Sequence, residues 1–301
     1  MADPLVSILI PAYNERYFAE AFESARAQQG VELEIVVCDD SPGEAIGRVV
    51  AAGNDPRVRY VRNPKNLGFV GNFTHCFNVA RGAFLKFLND DDRLRPGCVA
   101  MFASILNANP GVKLATSRRI PIDSKGQRLP DGPATAPISF VSAIMAGREL
   151  GDHALVHSIN FIGEPTTVMF RRADVTLEDG LLFRWGGHDY HCLADLGLWL
   201  RLLANGLAYY TPAPFSEFRV HEGQEQNREG VRLSCLTERL WILRQARSAG
   251  YLAMREGQRI AFANLRGRLQ AWLDRGAFTP AESDTVRGLL AELDEESASL
   301  R

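Results

Sequence analysis

Four short apolar runs, each followed by a turn and then an amphipathic segment, restrict what this chain can fold into. They are "LVSILI" (Leu5–Ile10), "LEIVVC" (Leu33–Cys38), "RVRYV" (Arg57–Val61) and "AFLKFL" (Ala83–Leu88). Runs this short, bounded by proline, glycine or polar residues, predict buried strands. Between the first two, Phe18, Phe22 and Ala25 share one face of a helix that Asn14 can cap and Gly30 can close. A short helix through Ile46 and Val50, one running from "NLGFVGNF" to Gly82, and one over "GCVAMFASILNANPG" follow in turn. Strands alternating with helices of this length require a mostly parallel sheet covered on both faces, an α/β architecture.

Ligands of such sheets collect beyond the carboxyl ends of the strands. Two acidic clusters fall there, "CDD" (Cys38–Asp40) and "NDDD" (Asn89–Asp92), and they are predicted to face one rim. A single aspartate in that place is most simply a turn or helix cap, and Asp92 stands a few residues before Pro96. Capping does not need three in a row. Carboxylates with room for water suit a hard cation such as Mg²⁺ or Mn²⁺, which would turn the acidic rim into a diphosphate site. A phosphohydrolase or a nucleotidyltransferase fits this pattern as well as a transferase does.

Other chemistries drop out. "NLGFVG" lacks the G-x-G-x-x-G of a dinucleotide fold, and "GNFTHC" lacks the lysine of a P-loop. The formal net charge of −2 supplies no bulk attraction to nucleic acid. "HDYHC" (His188–Cys192) crowds its donors with no partner pair elsewhere, which argues against zinc. The five cysteines are odd in number and form no C-x-x-C pair. That predicts reduced thiols in a cytoplasmic compartment, with no disulfide framework. The start "MADPLVSILIPAYNE" has neither the basic nor the long apolar stretch of a signal peptide.

Beyond Pro110 the pattern loosens. "VKLATSRRIPI" predicts a strand or hairpin, "TTVMF" (Thr166–Phe170) a strand, and "LADLGLWLRLLANG" a helix with Asp195 near its beginning. "PFSEFRVHEGQEQN" reads as a short strand breaking at His221. From about Arg228 the chain turns helical and arginine-rich, and the acidic end "AELDEESASLR" reads as frayed. Arginines interleaved with glutamates are most simply a solvated face. A peripheral membrane contact at the inner face, or a homodimer, through these helices are the sharper alternatives.

Taken together, "VSILIPAYNE", "LEIVVCDDSP" and "NLGFVGNFTHCFNVARGAFLKFLNDDDRLRPGC" resemble the family 2 glycosyltransferases of GT-A fold in order and spacing. The resemblance runs from Leu5 to about Gly223 and implies a domain over residues 1–225. Its nucleotide-binding half covers about 1–115 and its acceptor half about 116–225, with a helical extension over 226–301. It implies a metal-dependent inverting enzyme that moves a sugar from a UDP- or dTDP-sugar to a saccharide, lipid-linked or protein acceptor. Surface polysaccharide or glycoconjugate synthesis would be its setting.

The resemblance also implies residue roles. Pro11, Ala12, Tyr13 and Asn14 form the loop under the nucleoside, with the Tyr13 ring against the base. Asp40 accepts the imide N–H of uracil or thymine, a fitting role for a group that only accepts at neutral pH. Asp39 braces that loop. Asn66 to Asn72, including Gly68, pass near base and diphosphate. Asp90 assists or meets the donor sugar, and Asp91 reaches ribose or metal. Asp92 is the main metal ligand, with His221 completing the Mn²⁺ or Mg²⁺ shell or touching diphosphate. Asn89 stands where the family usually has the first Asp of D-x-D-D, and Phe73-Thr74 where it often has R-N. Asp195 is the base that deprotonates the acceptor, held and kept ionised by the helix N-terminus. Glu164, Asp189 and Trp185 are the acceptor-side candidates. Two rivals stay open: a nucleotidyltransferase, although "PAYNER" lacks the basic glycine-rich loop it needs, and a non-catalytic nucleotide-sugar binder.

Overall fold

The computed structural model describes residues 5–224, 231–276 and 278–300. Strand β1 (Val6–Ala12) is buried along its whole length. Its alternate residues Val6, Ile8 and Ile10 pack on one face of the sheet and Leu9 on the other, the period of two expected of a strand covered on both sides. It runs through Pro11 instead of stopping there. Strand β4 pairs only with Val6–Leu9, so at Pro11 a neighbour lies on one side alone and a missing donor is tolerated.

Helix α1 (Glu15–Arg26) starts at Asn14, whose side chain accepts from the Arg16 amide at 3.0 Å, and it buries Phe18, Phe22 and Ala25. Strand β2 (Leu33–Asp39), α2 (Ala45–Gly53), β3 (Val58–Arg62), α3 (Gly68–Val79) and β4 (Phe84–Phe87) complete the predicted alternation. These four strands pair in parallel in the order β3-β2-β1-β4. Strand β5 (Arg93–Leu94) and α4 (Cys98–Ala108) follow. Gly97, not Asp92, precedes the first turn of α4, so Asp92 is no cap.

The second half makes the sheet mixed. It contributes β6 (Val112–Ile122), β7 (Ala143–Ala146), α5 (Gly147–His157), β8 (Met169–Arg171), the hairpin β9 (Arg184–Trp185) and β10 (His188–Asp189), α6 (Ala194–Leu203) and β11 (Leu207–Arg219). Antiparallel β8 sits between β4 and β6, and the order continues β4-β8-β6-β11-β5. The predicted strand over Thr166–Phe170 is shifted: Pro165–Thr167 form a 3₁₀ turn and the ladder begins at Met169. The short strand predicted before His221 is the end of a 13-residue one.

Helices α7 (Val231–Ser248), α8 (Arg255–Asp274) and α9 (Pro280–Ser299) pack on the same apolar cluster as α3, α5 and α6. The acidic end is not frayed: Thr279 and Glu282 form a capping box, and Val286, Leu289, Leu290 and Leu293 are buried. Some of the interleaved charges pair between helices, Arg244 with Glu292 and Glu296, and Arg247 with Glu296. Nor are all five cysteines reduced. Cys192 and Cys235 form a disulfide joining the segment before α6 to α7, while Cys38, Cys76 and Cys98 are buried thiols. Cysteine content therefore gives no support to a reducing compartment. No helix among the described residues is long and apolar enough to cross a membrane.

Candidate active site

The loop after β1 ties the two acidic strand ends together. The amides of Tyr13 and Asn14 donate to Oδ2 of Asp90 at 2.6 and 2.7 Å. On its other side, the Ala12 carbonyl accepts the Asp40 amide at 2.8 Å. Asn72 spans β1 and β2, donating to the carbonyls of Ala12 and Cys38 while accepting from Asn63. Strands β1, β2 and β4 are parallel neighbours, so the two clusters lie at the same end of the sheet.

Asp40 is buried and already engaged. Its carboxylate accepts from the Leu67 amide at 2.8 Å, the Gly68 amide at 3.0 Å and Asn63 Nδ2 at 2.9 Å. The Leu67 amide is shared with Oδ2 at 3.0 Å, so three donors make four contacts with the carboxylate's about four acceptor positions. Gly68 holds φ +69°, a left-handed conformation that favours glycine, and open space lies where its Cβ would be. Asn66 donates to the Asp40 carbonyl at 3.1 Å. Tyr13 has an exposed ring. Asp39 is the brace: it accepts from Tyr60 and Arg62 at 2.6 Å each, and from the Ser41 amide at 2.9 Å.

The three consecutive aspartates are committed differently. Asp90 holds the β1 loop, and burial pushes it up to about 6. Asp91 Oδ2 faces His221 Nε2 at 3.0 Å. Burial, then the neighbouring Asp90 charge, push Asp91 up to about 7. Asp92 is buried below, with Oδ1 accepting the Arg219 amide at 2.9 Å. Its Oδ2 accepts Thr166 Oγ1 at 2.6 Å and Asn89 Nδ2 at 3.1 Å. Burial and the Asp91 charge raise it well above the ordinary carboxylate range. The resemblance had placed the main metal ligand at Asp92. In the structure Asp92 is bonded to Arg219, Thr166 and Asn89, and Asp91 stands against His221.

Sequence patterns did not reveal what supports this triplet. The Arg219 guanidinium donates to the Asp91 carbonyl and to Glu20, both at 2.7 Å, and lies over the Tyr17 ring at 4.3 Å. Lys86 is fully buried on β4 and donates to the Thr166 carbonyl. Burial draws its ammonium down to about 8, against the opposing pull of Cys98 and Asp92.

A second carboxylate site stands at α6. Asp195 accepts from Asn160 Nδ2 at 2.8 Å and from the Leu196 amide at 2.6 Å. Burial first, then the Glu164 charge, push it up to about 7, outweighing Arg119 and the helix terminus that had been expected to keep it ionised. Arg119 pairs with Glu164 at 2.6 Å and donates to the Asn160 carbonyl at 2.9 Å. Trp199 Nε1 pins the Gly163 carbonyl at 2.8 Å. Glu164 precedes the turn whose Thr166 donates to Asp92, and its partner Arg119 donates to the Asn160 carbonyl, so it links the triplet to the surroundings of Asp195. Asp189, by contrast, is held by both nitrogens of an Arg184 fork at 2.6 and 2.9 Å. Trp185 lies half-buried on the same hairpin, packed against the core.

Among the described residues, no group of three or more His, Cys, Asp or Glu gathers to hold a metal unaided. Asp91 with His221 offers one oxygen and one nitrogen. That suits an Mg²⁺ or Mn²⁺ ion whose shell is completed by diphosphate oxygens and water, the usual arrangement for such ions on phosphates.

The model of the family described as "Glycosyl transferase family 2" matches residues 7–176. An uncharacterised protein of Mycobacterium tuberculosis is 33% identical over 231 residues, 75% of this chain and 70% of that protein. Succinoglycan biosynthesis protein ExoO of Rhizobium meliloti is 40% identical over 94 residues, 31% of this chain and 27% of ExoO. Chondroitin synthase of Escherichia coli is 31% identical over 132 residues, 43% of this chain and 19% of the synthase. The chain thus matches only minor parts of these last two. Among solved structures, S. aureus TarS in complex with UDP-GlcNAc superposes with a TM-score of 0.60 at 16% identity, covering 100% of this chain and 89% of that one. At that identity the likeness is one of fold.

Proposed function

Since the chain belongs to glycosyl transferase family 2, and is by that membership a glycosyltransferase, we propose that it moves a sugar from a UDP- or dTDP-sugar to an acceptor hydroxyl with inversion at the anomeric carbon. The observation that carries this reading is the β1 loop, bonded on one side to Asp90 and on the other to Asp40, beside the Asp91–His221 pair. One loop so fastened presents a surface for a base next to a seat for its diphosphate.

Tyr13 would lie against the base, and Asp40 would take the imide N–H in place of its second, shared contact from the Leu67 amide. Gly68 and Asn66 border the open space beside them. Asp91 and His221 would hold Mn²⁺ or Mg²⁺. When bound, that ion supplies charge neutralisation for the departing diphosphate. Asp90 and Asp92 position the loops on either side. Asp195 would take the acceptor proton as the hydroxyl attacks from the face opposite the diphosphate. A group brought to about 7 suits that task, because a base works best with its pKa near the working pH. Glu164 and Asn160 orient it. ExoO and chondroitin synthase carry names of polysaccharide synthesis, which supports an acceptor of that kind.

The test is a thermal-shift panel of UDP-, dTDP- and GDP-sugars with and without Mn²⁺, since ligands of the native state raise its melting temperature. A rise with UDP- or dTDP-sugars that needs Mn²⁺ is expected. No rise with any pyrimidine nucleotide would sink the reading.

A further inference from the structure

Helix α7 does more than cover the core. Its Glu238 is buried, and its carboxylate accepts three successive backbone amides of the segment leading into α6. Oε1 takes His191 at 3.0 Å and Cys192 at 3.2 Å, and Oε2 takes Leu193 at 2.8 Å. Ser234, one turn earlier on α7, donates to Oε1 at 2.9 Å. Leu193 is the residue from which α6 starts, and Asp195 is the second residue of that helix. The Cys192–Cys235 disulfide fastens the same segment to the same turn of α7. The next residue, Arg239, reaches the other side of Asp195. It donates to the Ser158 carbonyl at 2.9 Å and to the Ser158 hydroxyl at 3.0 Å, at the head of the stretch that carries Asn160 and Glu164.

A buried carboxylate is costly unless its acceptor positions are filled. Three amides and a hydroxyl fill them here, and the last of those amides belongs to Leu193, which caps the start of α6, where amides otherwise lack partners. A purely structural extension would be served by apolar contacts, which α7 already has in Leu236, Leu240 and Leu243. A charged group spent on three consecutive amides fixes the direction of that backbone as well as its position.

We infer that Glu238 is a positioning residue for Asp195, acting through the His191–Leu193 backbone, so that the C-terminal extension is part of the catalytic apparatus. The inference rests on the transferase reading for the role of Asp195. The groups facing Asp195 are Glu164, Arg119 of β6, Asn160, and Arg239 of α7. Glu238 does not touch Asp195. It sets where Asp195 stands among these groups.

The test compares the full-length chain, with its disulfide intact, as wild type, Glu238→Gln, Glu238→Asp and Asp195→Asn. A glutamine offers one acceptor and turns an NH₂ toward amides that also donate, whereas aspartate keeps the charge but retracts it by a methylene. UDP affinity with Mn²⁺ is measured by calorimetry, and release of UDP from UDP-GlcNAc and UDP-glucose, and of dTDP from dTDP-glucose, gives kcat, KM and the pH midpoint of kcat. Both Glu238 variants are expected to keep UDP affinity and donor KM within about twofold while kcat falls about tenfold or more in the glutamine variant and less in the aspartate one. The pH midpoint of kcat is expected to move in the same order, a shift that loss of stability alone would not produce. Unchanged kcat and midpoint in a folded Glu238 variant overturn the inference, and so does full activity of Asp195→Asn. If the wild type turns over no donor, that counts against the donor reading alone. The carboxyl titration of Asp195 by carbon NMR then decides: a midpoint displaced in the Glu238 variants supports the inference, and an identical one overturns it.

Discussion

His221 Nε2 and Asp91 Oδ2 stand 3.0 Å apart although 130 positions separate them in the chain. Strand β11 makes this meeting possible. Its last residue, Arg219, fixes Asp92 through its amide and Asp91 through its guanidinium, so the turn that follows delivers the histidine to the triplet.

This division of labour separates two neighbouring aspartates experimentally. Asp91→Asn and His221→Ala are expected to weaken Mn²⁺-dependent UDP binding about tenfold or more. Asp92→Ala is expected to lower stability by about 1–3 kcal/mol, because it orphans the buried Arg219 amide and Thr166 hydroxyl. Calorimetry and urea unfolding of all three variants check this. A stable Asp92→Ala that has lost only metal-dependent binding would return the ligand role to Asp92.

Asp195 gives a pH signature with two parts. Its native value of about 7 lies above its unfolded value of about 4, so between them the native carboxyl holds a proton that the unfolded one has released. The unfolded state binds fewer protons there, and this residue's contribution to stability falls as pH rises through that window. Asp195→Asn is therefore expected to melt higher than wild type at about pH 8 and to lose that advantage by about pH 4. Transfer by the wild type should rise with pH through about 7, and Asp195→Asn should bind donor yet not transfer. Equal melting at both pH values would contradict the buried, proton-holding state.

Reducing the disulfide removes a link between residues 43 apart in sequence. The reduced chain is expected to be less stable by about 2–4 kcal/mol, chiefly through the freedom regained by its unfolded state. Chemical denaturation with and without dithiothreitol, and of Cys235→Ser, measures the difference. Superimposable curves would mean that the link carries no stability.

Leu293 is fully buried on α9. Leu293→Ala should cost about 2–5 kcal/mol, the range for emptying a packed leucine site. A change within error would restore the frayed end that the acidic composition suggests.

The sheet was legible because its strands carry their own signal. "LVSILI", "LEIVVC" and "AFLKFL" are apolar on both faces, and a run of that kind has few alternatives to the middle of a parallel sheet. The acidic strand ends were legible for the same reason, since topology alone puts them on one rim. Partners drawn from far along the chain were not. Nothing around Arg219, Thr166 or Glu238 announces that each closes on an amide or carboxylate dozens of residues away, because a hydrogen bond across the fold leaves no periodicity. Cys192 and Cys235 were misjudged on spacing, a guide to metal clusters that says little about a single distant pair. In α9 the apolar positions Val286, Leu289, Leu290 and Leu293 stand at helical intervals, but the surrounding glutamates give the segment the composition of a solvated end.

One practical consequence follows from the covalent link at Cys192. A host that keeps thiols reduced will yield the chain with the approach to α6 secured by Glu238 and the Trp241 ring contacts, while an oxidising host adds the sulfur bridge. Preparations from the two hosts will share one fold, and they will differ in how tightly Asp195 is anchored.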